Sequence, residues 1–263
     1  MPGIITLTTD FGLKDPYHAA VKGAILCVAP GVRIVDVSHL VRPGNILEGA
    51  LILRDAAPYF PDKTIHVAVV DPGVGGGRRP VLIETRRYFF IGPDNGVLLP
   101  AAASDGIKRV VHLTDNRYFR KDVSSTFHGR DIFGPVAAHL SHGTAPALFG
   151  KMIRKTVPLK MPSVRIGGGA VKGSVVYADT FGNLMTNIGR AVLIRHFGGS
   201  GLEISIKGVT IKGLSKTYGD VKKGGVAAVI GSTGFLEIAV NRGSAEAVLE
   251  AAAAESVTVR GLR

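Results

Sequence analysis

The strongest constraint on the fold is a change of pattern past the middle of the chain. Up to residue 157, short apolar runs alternate with longer mixed segments, as in IITLTTD followed by PYHAAVKGAILCVA. From residue 171, β-rich runs such as VKGSVVYAD and LEISIKG follow one another between glycine turns. Alternating strands and helices are typical of α/β domains, whereas successive short strands are typical of antiparallel sheets. The pattern therefore predicts two domains of different class.

The first domain, residues 1–157, is predicted to hold a mostly parallel sheet flanked by helices. Its strands are IITLTTD, RIVDVSH and TIHVAVVD, followed by a strand pair over PVLIET and YFFIG, and residues 131–149 are helical in pattern. Two prolines and three consecutive glycines make residues 158–170 a predicted linker. The second domain, residues 171–263, is predicted to be smaller, all-β, antiparallel and barrel-like.

Composition limits the classes of protein. The 263 residues are 46% hydrophobic, which is enough for a folded globular protein. The single cysteine, Cys27, cannot form an intramolecular disulfide, and its apolar neighbours predict a buried thiol. No stretch approaches the roughly 18 apolar residues of a membrane span, and the N-terminus does not resemble a signal peptide. A cytoplasmic protein without membrane contact is expected.

The formal net charge of +12 raises the question of nucleic-acid binding. Basic residues outnumber acidic ones in both domains, so neither end is a basic arm. Local basic clusters are pairs such as Arg78-Arg79, without the interleaved aromatic residues that single-strand binders use. A solvated basic surface is the expectation, with no nucleic-acid partner.

Two predicted strands end in an aspartate, Asp10 after TLTT and Asp71 after VAVV. Ligands of parallel sheets bind beyond the carboxyl ends of the strands, where loops converge. An aspartate in this position is equally typical of a helix or turn cap. The residues alone leave both interpretations open.

The stretch HVAVVDPGVGGGRR contains four glycines but no phosphate-binding motif. It lacks GxxxxGK[ST], and Arg78 occupies the position at which GxGxxG requires glycine. The glycines instead predict a flexible turn that brings Arg78 back to Asp71. The neighbouring Arg79 is expected to matter less.

Histidines offer two further candidates. His128, in STFHGRD, is a plausible loop histidine that faces a cleft, although an isolated histidine is often structural. His139 and His142 have a helical spacing that suits a metal, but no third ligand is evident. They are interpreted as surface or interface residues, and no metal is expected.

In the second domain, YADTFGNLMTNIG suggests either a site or an ordinary turn. Phe181 offers a stacking face, and the Asn183 amide presents both a donor and an acceptor to a purine edge. The alternative is a β-turn that uses Gly182 and Asn183. A second segment, GSTGFLEIAVNRGSA, offers backbone amides near its turns.

Six motifs in one order resemble a known family. They are TTDFGLKDPY, VVDPGVGGGR, GPDNGVL, STFHGRD, DTFGNLMTNI and GSTGFLEIAVNRGSA, and they extend from residue 8 to residue 245. They resemble the S-adenosylmethionine (SAM) hydrolases that form adenosine and methionine. These enzymes are also called SAM hydroxide adenosyltransferases and are relatives of the SAM-dependent fluorinase and chlorinase.

The resemblance implies a homotrimer that binds SAM between the N-terminal domain of one subunit and the C-terminal domain of the next. It implies no cofactor, since SAM is the substrate. The residues that it implies are the catalytic set Asp71, Arg78 and His128, Asp10 at the ribose hydroxyls, Asp179 at the methionine ammonium, Phe181 and Asn183 at adenine, and Ser232 at methionine. Thr233 departs from the halogenases, which have an arginine there, so the contact with the methionine carboxylate is open.

The chemistry that the resemblance implies is an in-line attack of water at the ribose C5′ atom, with neutral methionine leaving. Bulk water has a pKa of about 15.7, so it must be held in line and relieved of its proton. His128 is the candidate base or proton path, Arg78 orients the water and favours hydroxide, and Asp71 fixes Arg78 or the histidine. Which of the three accepts the proton is open.

Three alternatives remain. Halogenases share the scaffold, but they have tyrosines in the regions of Asp71 and His128 and a long extra loop that this chain lacks. A SAM or adenosine sensor would bind the ligand and leave it unchanged. A basic RNA-associated module would bind RNA and form no nucleoside product.

Overall fold

The computed structural model describes residues 3–198 and 201–262 and divides into two compact units, Met1–Lys160 and Met161–Arg263. The division falls inside segment 158–170. This segment is not irregular throughout, because it contains the short strand β8, Arg165–Gly167.

The first unit is built from strands and helices that largely alternate. Its strands are β1 Ile4–Thr9, β2 Arg33–Ser38, β3 Ile65–Val69, β4 Pro80–Thr85, β5 Phe89–Pro93, β6 Ile107–Leu113 and β7 Gly150–Ile153. Its helices are α1 Tyr17–Val28, α2 Ile46–Ala56, α3 Leu99–Asp105 and α4 Gly134–Ser141. A π-helical turn, Gly129–Phe133, leads directly into α4.

The strands form one seven-stranded sheet in the order β2-β1-β3-β5-β4-β6-β7. The first four are parallel, and the pairs from β5 to β7 are antiparallel, including the predicted pair β4 and β5. The predicted α/β class is therefore confirmed. Thr9 of β1 lies opposite Val69 of β3, so the loops carrying Asp10 and Asp71 leave adjacent strands at the same edge.

Apolar side chains cover both faces of this sheet. Val67 and Val69 of β3 pack in the core beneath α1 and α4, whereas Ala68 packs in the core beneath α2 and α3. All five residues of β3 are buried, as expected for a parallel strand with helices on both sides. None of the helices in residues 3–198 and 201–262 is long and apolar enough to cross a membrane.

The prediction for Cys27 is wrong, since its thiol is exposed. The buried positions of α1 are Val21, Ala24 and Ile25, which share one face at spacings of three and four residues. Cys27 follows Ile25 by two positions, about 200° around the helix. An apolar neighbourhood in sequence therefore did not predict the buried face.

The second unit is mainly antiparallel. Its further strands are β9 Ala170–Ala178, β10 Leu184–Gly189, β11 Leu202–Ile206, β12 Val209–Lys212, β13 Val226–Ile230, β14 Phe235–Val240 and β15 Ser256–Gly261. Two short helices, α5 Arg190–Phe197 and α6 Ala245–Leu249, were not predicted. The sheet runs β12-β11-β15-β9-β10-β14-β13, with β8 beside β9. A bridge from Ser215 to Val229 brings the segment after β12 to the other edge strand, which confirms the nearly closed, barrel-like shape.

The core of the first unit contains a titratable histidine, His66. His66 on β3 is fully buried, its Nδ1 lies 2.8 Å from the Thr6 hydroxyl, and its ring stacks on Phe90. Burial lowers the pKa of His66 from 6.5 to about 4. The folded protein therefore holds this ring neutral over the physiological pH range.

His66 predicts a loss of stability in acid. The unfolded chain binds a proton on this ring more readily, so the stabilisation is complete above pH 6.5 and is lost as the pH falls toward 4, by about 3 kcal/mol. Urea unfolding at pH 7.5 and pH 4.5 measures the change. His66→Gln, which carries no titrating group, should lose less stability over the same interval, and equal losses in both proteins would contradict the prediction.

Candidate functional site

A buried ion pair occupies the edge of the first sheet where β3 ends. The Arg78 guanidinium donates from Nε to Asp71 Oδ2 at 2.8 Å and Oδ1 at 3.0 Å, and from Nη2 to Oδ2 at 2.5 Å. The two side chains are 10% and 5% exposed. The turn that the glycines predict between the two residues is present, with Val74 N donating to Asp71 O.

His128 completes the cluster from a distant part of the chain. Its Nδ1 lies 2.6 Å from Arg78 Nη2, and the Arg78 guanidinium also lies over the buried Phe133 ring, 5.5 Å from its centroid. The structure thus brings together the three residues that the resemblance names as catalytic. They come from two loops fifty residues apart.

The two loops touch through a glycine. Gly75 has a φ of +76°, and a Cβ added there would lie 2.3 Å from the Ser125 carbonyl oxygen. A residue with a side chain would be strained at this φ and would also push the loops apart. The glycine-rich turn therefore allows close packing against the segment that carries His128.

The protonation state of His128 follows from its partner. Partial burial and the nearby Arg78 charge lower the pKa of His128, against the opposing effect of Asp71 and Asp131. Because arginine only donates, we assign Nδ1 of neutral His128 as the acceptor and Nε2 as the protonated nitrogen. His128 then presents an N–H donor and has no free basic nitrogen.

One nitrogen of the Arg78 guanidinium takes no part in these contacts. Its Nη1 is buried and has no hydrogen-bond partner among the described residues. Buried donors of this kind are normally hydrogen-bonded, and many of the exceptions have a functional role. Nη1 of Arg78 and Nε2 of His128 are the two donors that the cluster leaves for a ligand.

Asp10, at the neighbouring strand end, closes a loop. Its Oδ2 accepts from Gly44 N at 2.8 Å, which joins the end of β1 to the loop that precedes α2. This contact spans 34 residues and is neither a helix cap nor a local turn, since the N-cap residues of α1 and α2 are Pro16 and Asn45. In the part of the chain that the structure describes, no hydrogen bond to Asp10 Oδ1 is found.

The Arg79 side chain points to a different partner. It forms an ion pair with Asp94, which is buried and accepts from Val157 N at 2.8 Å, and Arg79 also donates to the Lys155 carbonyl. Arg79 and Asp94 therefore hold residues 155–157, near the end of the first unit, in place. Removing Arg79 would disturb structure, so the exposed Arg86 is the better control for Arg78.

In the second unit, residues 179–183 form a tight turn organised by Asp179. Its Oδ1 accepts from the backbone amides of Phe181 and Asn183, and its Oδ2 accepts from Asn183 Nδ2, each at 2.9 Å. The turn interpretation is therefore correct for the backbone. It leaves Phe181 78% exposed, Asn183 largely buried, and the Asn183 Oδ1 facing no donor in the turn.

A cavity of about 520 Å³ lies beside this turn and includes residues that the sequence did not single out. Its lining residues are Phe181, Asn183, Tyr218, Val240, Arg242 and Gly243. The Tyr218 hydroxyl donates to the buried Glu237 carboxylate at 2.8 Å, and burial raises the pKa of Tyr218 to about 12. Only the aromatic character of Tyr218, near no motif, could have indicated it.

The remaining predicted residues are Ser232 with its neighbour Thr233, and the two histidines His139 and His142. Ser232 is exposed in the turn between β13 and β14, and Thr233 Oγ1 is buried without a partner among residues 3–198 and 201–262. His139 packs edge-on against Tyr118, with ring centroids 5.2 Å apart, and His142 is exposed. This placement agrees with the surface interpretation of His142.

The contact at Gly75 predicts a matched pair of variants. Gly75→Ala should lower the free energy of unfolding by about 1–3 kcal/mol, because it combines a positive φ with a backbone clash. Gly77→Ala adds the same methyl group in open space at an ordinary φ and should change stability by less than about 0.5 kcal/mol. Urea unfolding of both variants tests this, and equal effects would contradict the proposed packing.

The comparisons with known proteins agree with this arrangement. Residues 5–150 match the SAM hydroxide adenosyltransferase N-terminal domain, and residues 173–258 match its C-terminal domain. An (R)-S-adenosyl-L-methionine hydrolase from Salinispora tropica is 39% identical over 252 residues, 93% of each chain. A fluorinase from an Actinoplanes species is 26% identical, over 90% of this chain and 91% of the relative.

Among solved structures, an uncharacterized conserved protein from Thermotoga maritima superposes with a TM-score of 0.90 and 35% identity, covering 98% of this chain and 99% of that one. The family resemblance seen in the motifs is thereby confirmed along nearly the whole chain, in both units. The chain belongs to the SAM hydroxide adenosyltransferase family.

Proposed function

We propose that this protein hydrolyses S-adenosyl-L-methionine to adenosine and L-methionine. The observation that carries the proposal is the cluster of Asp71, Arg78 and His128, in which Arg78 Nη1 is buried without a partner among the described residues and His128 Nε2 is the ring nitrogen that does not contact Arg78. Membership of the family supplies the substrate class, and the hydrolase names of relatives such as that from Salinispora tropica support the reaction.

The reaction balances without a cofactor. A bond forms between the water oxygen and C5′ of the ribose, the C5′–S bond breaks, and its electron pair stays on sulfur. The sulfonium thereby becomes the neutral thioether of methionine, so the leaving group needs no proton. The proton of the attacking water is the only one that must be removed, and we propose that no metal or redox group takes part.

In this proposal, Arg78 and His128 act as donors to the nucleophile. We propose that Arg78 Nη1 and His128 Nε2 both donate to the water oxygen, which would favour its hydroxide form. The role of His128 as a base is set aside, because its Nδ1 already accepts from Arg78. The proton is released to solvent before attack.

Asp71 has a separate task. A buried guanidinium without a counter-charge would be costly, and it would also repel the sulfonium cation of the substrate. The bidentate contact with Asp71 neutralises the Arg78 charge and fixes the plane of its fork. We propose that Asp71 holds Arg78 and does not itself touch the water.

The remaining residues are proposed to hold the two ends of SAM. Asp10 Oδ1 would accept from a ribose hydroxyl. Phe181 and Asn183 border the 520 Å³ cavity, whose aromatic wall and amide oxygen suit adenine. Asp179 and Ser232 are assigned to the methionine end, where Asp179 Oδ2 retains one acceptor site beyond its bond from Asn183.

We further propose a cytoplasmic homotrimer with active sites at subunit interfaces, as the family resemblance implies. The 78% exposure of the Phe181 ring supports this, because a neighbouring subunit or a ligand would cover it. Sedimentation equilibrium measures the state directly.

The substrate epimer is also part of the proposal. The relative from Salinispora tropica is named for the (R) configuration at sulfur. We propose the same preference here, which would make the protein act on the epimer that arises when the sulfonium centre inverts. Separate assays with each epimer measure the preference.

Incubation of the protein with each epimer of SAM should release adenosine and methionine in equal amounts, measured by chromatography. In water enriched in ¹⁸O, the label should appear at the 5′ oxygen of adenosine. Intact SAM after prolonged incubation with excess protein would reject hydrolysis and favour a sensor. Formation of 5′-chloroadenosine in chloride would favour a halogenase.

Variants of Arg78 and His128 test whether His128 acts as a hydrogen-bond donor or as a base. Arg78→Ala should lower kcat about 10²–10³-fold, whereas the control Arg86→Ala should leave it unchanged. His128→Gln retains an amide N–H and should keep activity within about tenfold of wild type, whereas His128→Ala should lose about 10²-fold. If His128 were the base, the glutamine variant would fall as far as the alanine variant.

A further inference from the structure

Asp131 is the most completely buried carboxylate near the site. Its exposure is 0%, and it lies three residues after His128 in the π-helical turn Gly129–Phe133. Short π-helical segments are rare and are often found at functional sites. No role for Asp131 follows from the proposed function.

The contacts of Asp131 enclose the loop that carries His128. Its Oδ2 accepts from Ser124 N at 2.9 Å, at the start of the loop. Its Oδ1 and Oδ2 accept from Arg130 Nε at 2.7 Å and Nη2 at 2.9 Å, at the end of the loop. The Asp131 carbonyl oxygen also accepts from Arg120 N at 2.9 Å. One side chain therefore fixes both ends of residues 124–130.

Burial makes the negative charge of Asp131 energetically costly. Burying a carboxylate costs several kcal/mol, and the two arginines that offset it, Arg130 and Arg120, are themselves 33% and 49% exposed. A neutral asparagine could also accept from Ser124 N without a buried charge. The full negative charge close to His128 therefore calls for an electrostatic explanation as well as a geometric one.

His128 lies among four charged groups. Arg78 and Asp71 approach it from the glycine-rich loop, and Asp131 and Arg130 follow it on its own turn. Arg78, which touches the ring, opposes its protonation, and the two carboxylates favour it. Asp131 is the one carboxylate of this set that does not bind Arg78.

We propose that Asp131 is a positioning residue, whose carboxylate holds loop 124–130 so that His128 meets Arg78 and whose charge partly offsets the field of Arg78 on that ring. The kinetic part of this inference rests on the proposed SAM hydrolysis. The electrostatic part does not, because it concerns the His128 ring in the free protein.

The test that needs no activity is an NMR titration of the histidine rings in wild type and Asp131→Asn, with His128→Gln used to assign the signal. Loss of the charge should lower the pKa of His128 by about 0.5–1 unit. The Nδ1 signal should also lose the shift typical of an acceptor bound to Arg78. An unchanged pKa together with an unchanged Nδ1 signal would overturn the inference.

Kinetics give a second readout. In Asp131→Asn, kcat on the neutral plateau should fall about 10–100-fold, because His128 is displaced, and the acid limb of the pH profile should move to lower pH. A merely structural role would lower the plateau without moving the limb. If wild type leaves SAM intact, the proposed function fails, while the titration still decides the role of Asp131.

Two further variants keep the test open if Asp131→Asn does not fold. Arg130→Gln and Arg120→Gln remove partly exposed cations that pair with Asp131, so each should raise the pKa of His128, opposite to the change in Asp131→Asn. No change in His128 in either variant would overturn the inference.

Discussion

The arrangement of the two loops that carry Arg78 and His128 depends on the interactions of the buried Arg78 guanidinium. A cation that is 10% exposed needs a carboxylate, and Asp71 supplies it from the end of β3. Arg78 also needs a neutral acceptor on its other side, which His128 supplies. The glycine-rich turn brings Arg78 to Asp71, and the loop of residues 124–130 brings His128 to Arg78. The two segments contact each other where Gly75 packs against Ser125.

Local features of this arrangement could be predicted from the sequence because they depend on short spacings. Alternating apolar and mixed segments predicted the parallel strands, and therefore that Asp10 and Asp71 leave one sheet edge. The seven residues between Val70 and Arg78, four of them glycines, predicted the return of Arg78 to Asp71. The contact with His128 could not be predicted in this way, because fifty residues separate it from Arg78, and only the family resemblance pointed to it.

Other errors have the same origin. Burial of Cys27 depends on which face of α1 meets the sheet, and apolar neighbours in sequence do not specify that face. Tyr218 borders the cavity through a bond to Glu237, nineteen residues away. Asp131 lies in a motif that drew attention to His128, yet its importance appears only when Ser124, Arg120 and Arg130 are seen around it. The faces and side chains that meet in the folded protein decide all three, and the sequence pattern does not specify them.

The charges of the proposed reactants explain why such a cluster would be buried. Hydroxide and a sulfonium cation are both strongly hydrated, and they combine to give two neutral products. Removing solvent therefore disfavours the charged reactants more than the transition state, in which the charges are already partly cancelled. An unpaired arginine in the same place would repel the sulfonium and bind hydroxide too tightly. Pairing Arg78 with Asp71 leaves directed N–H donors with little net charge, which is what a reaction between opposite charges requires.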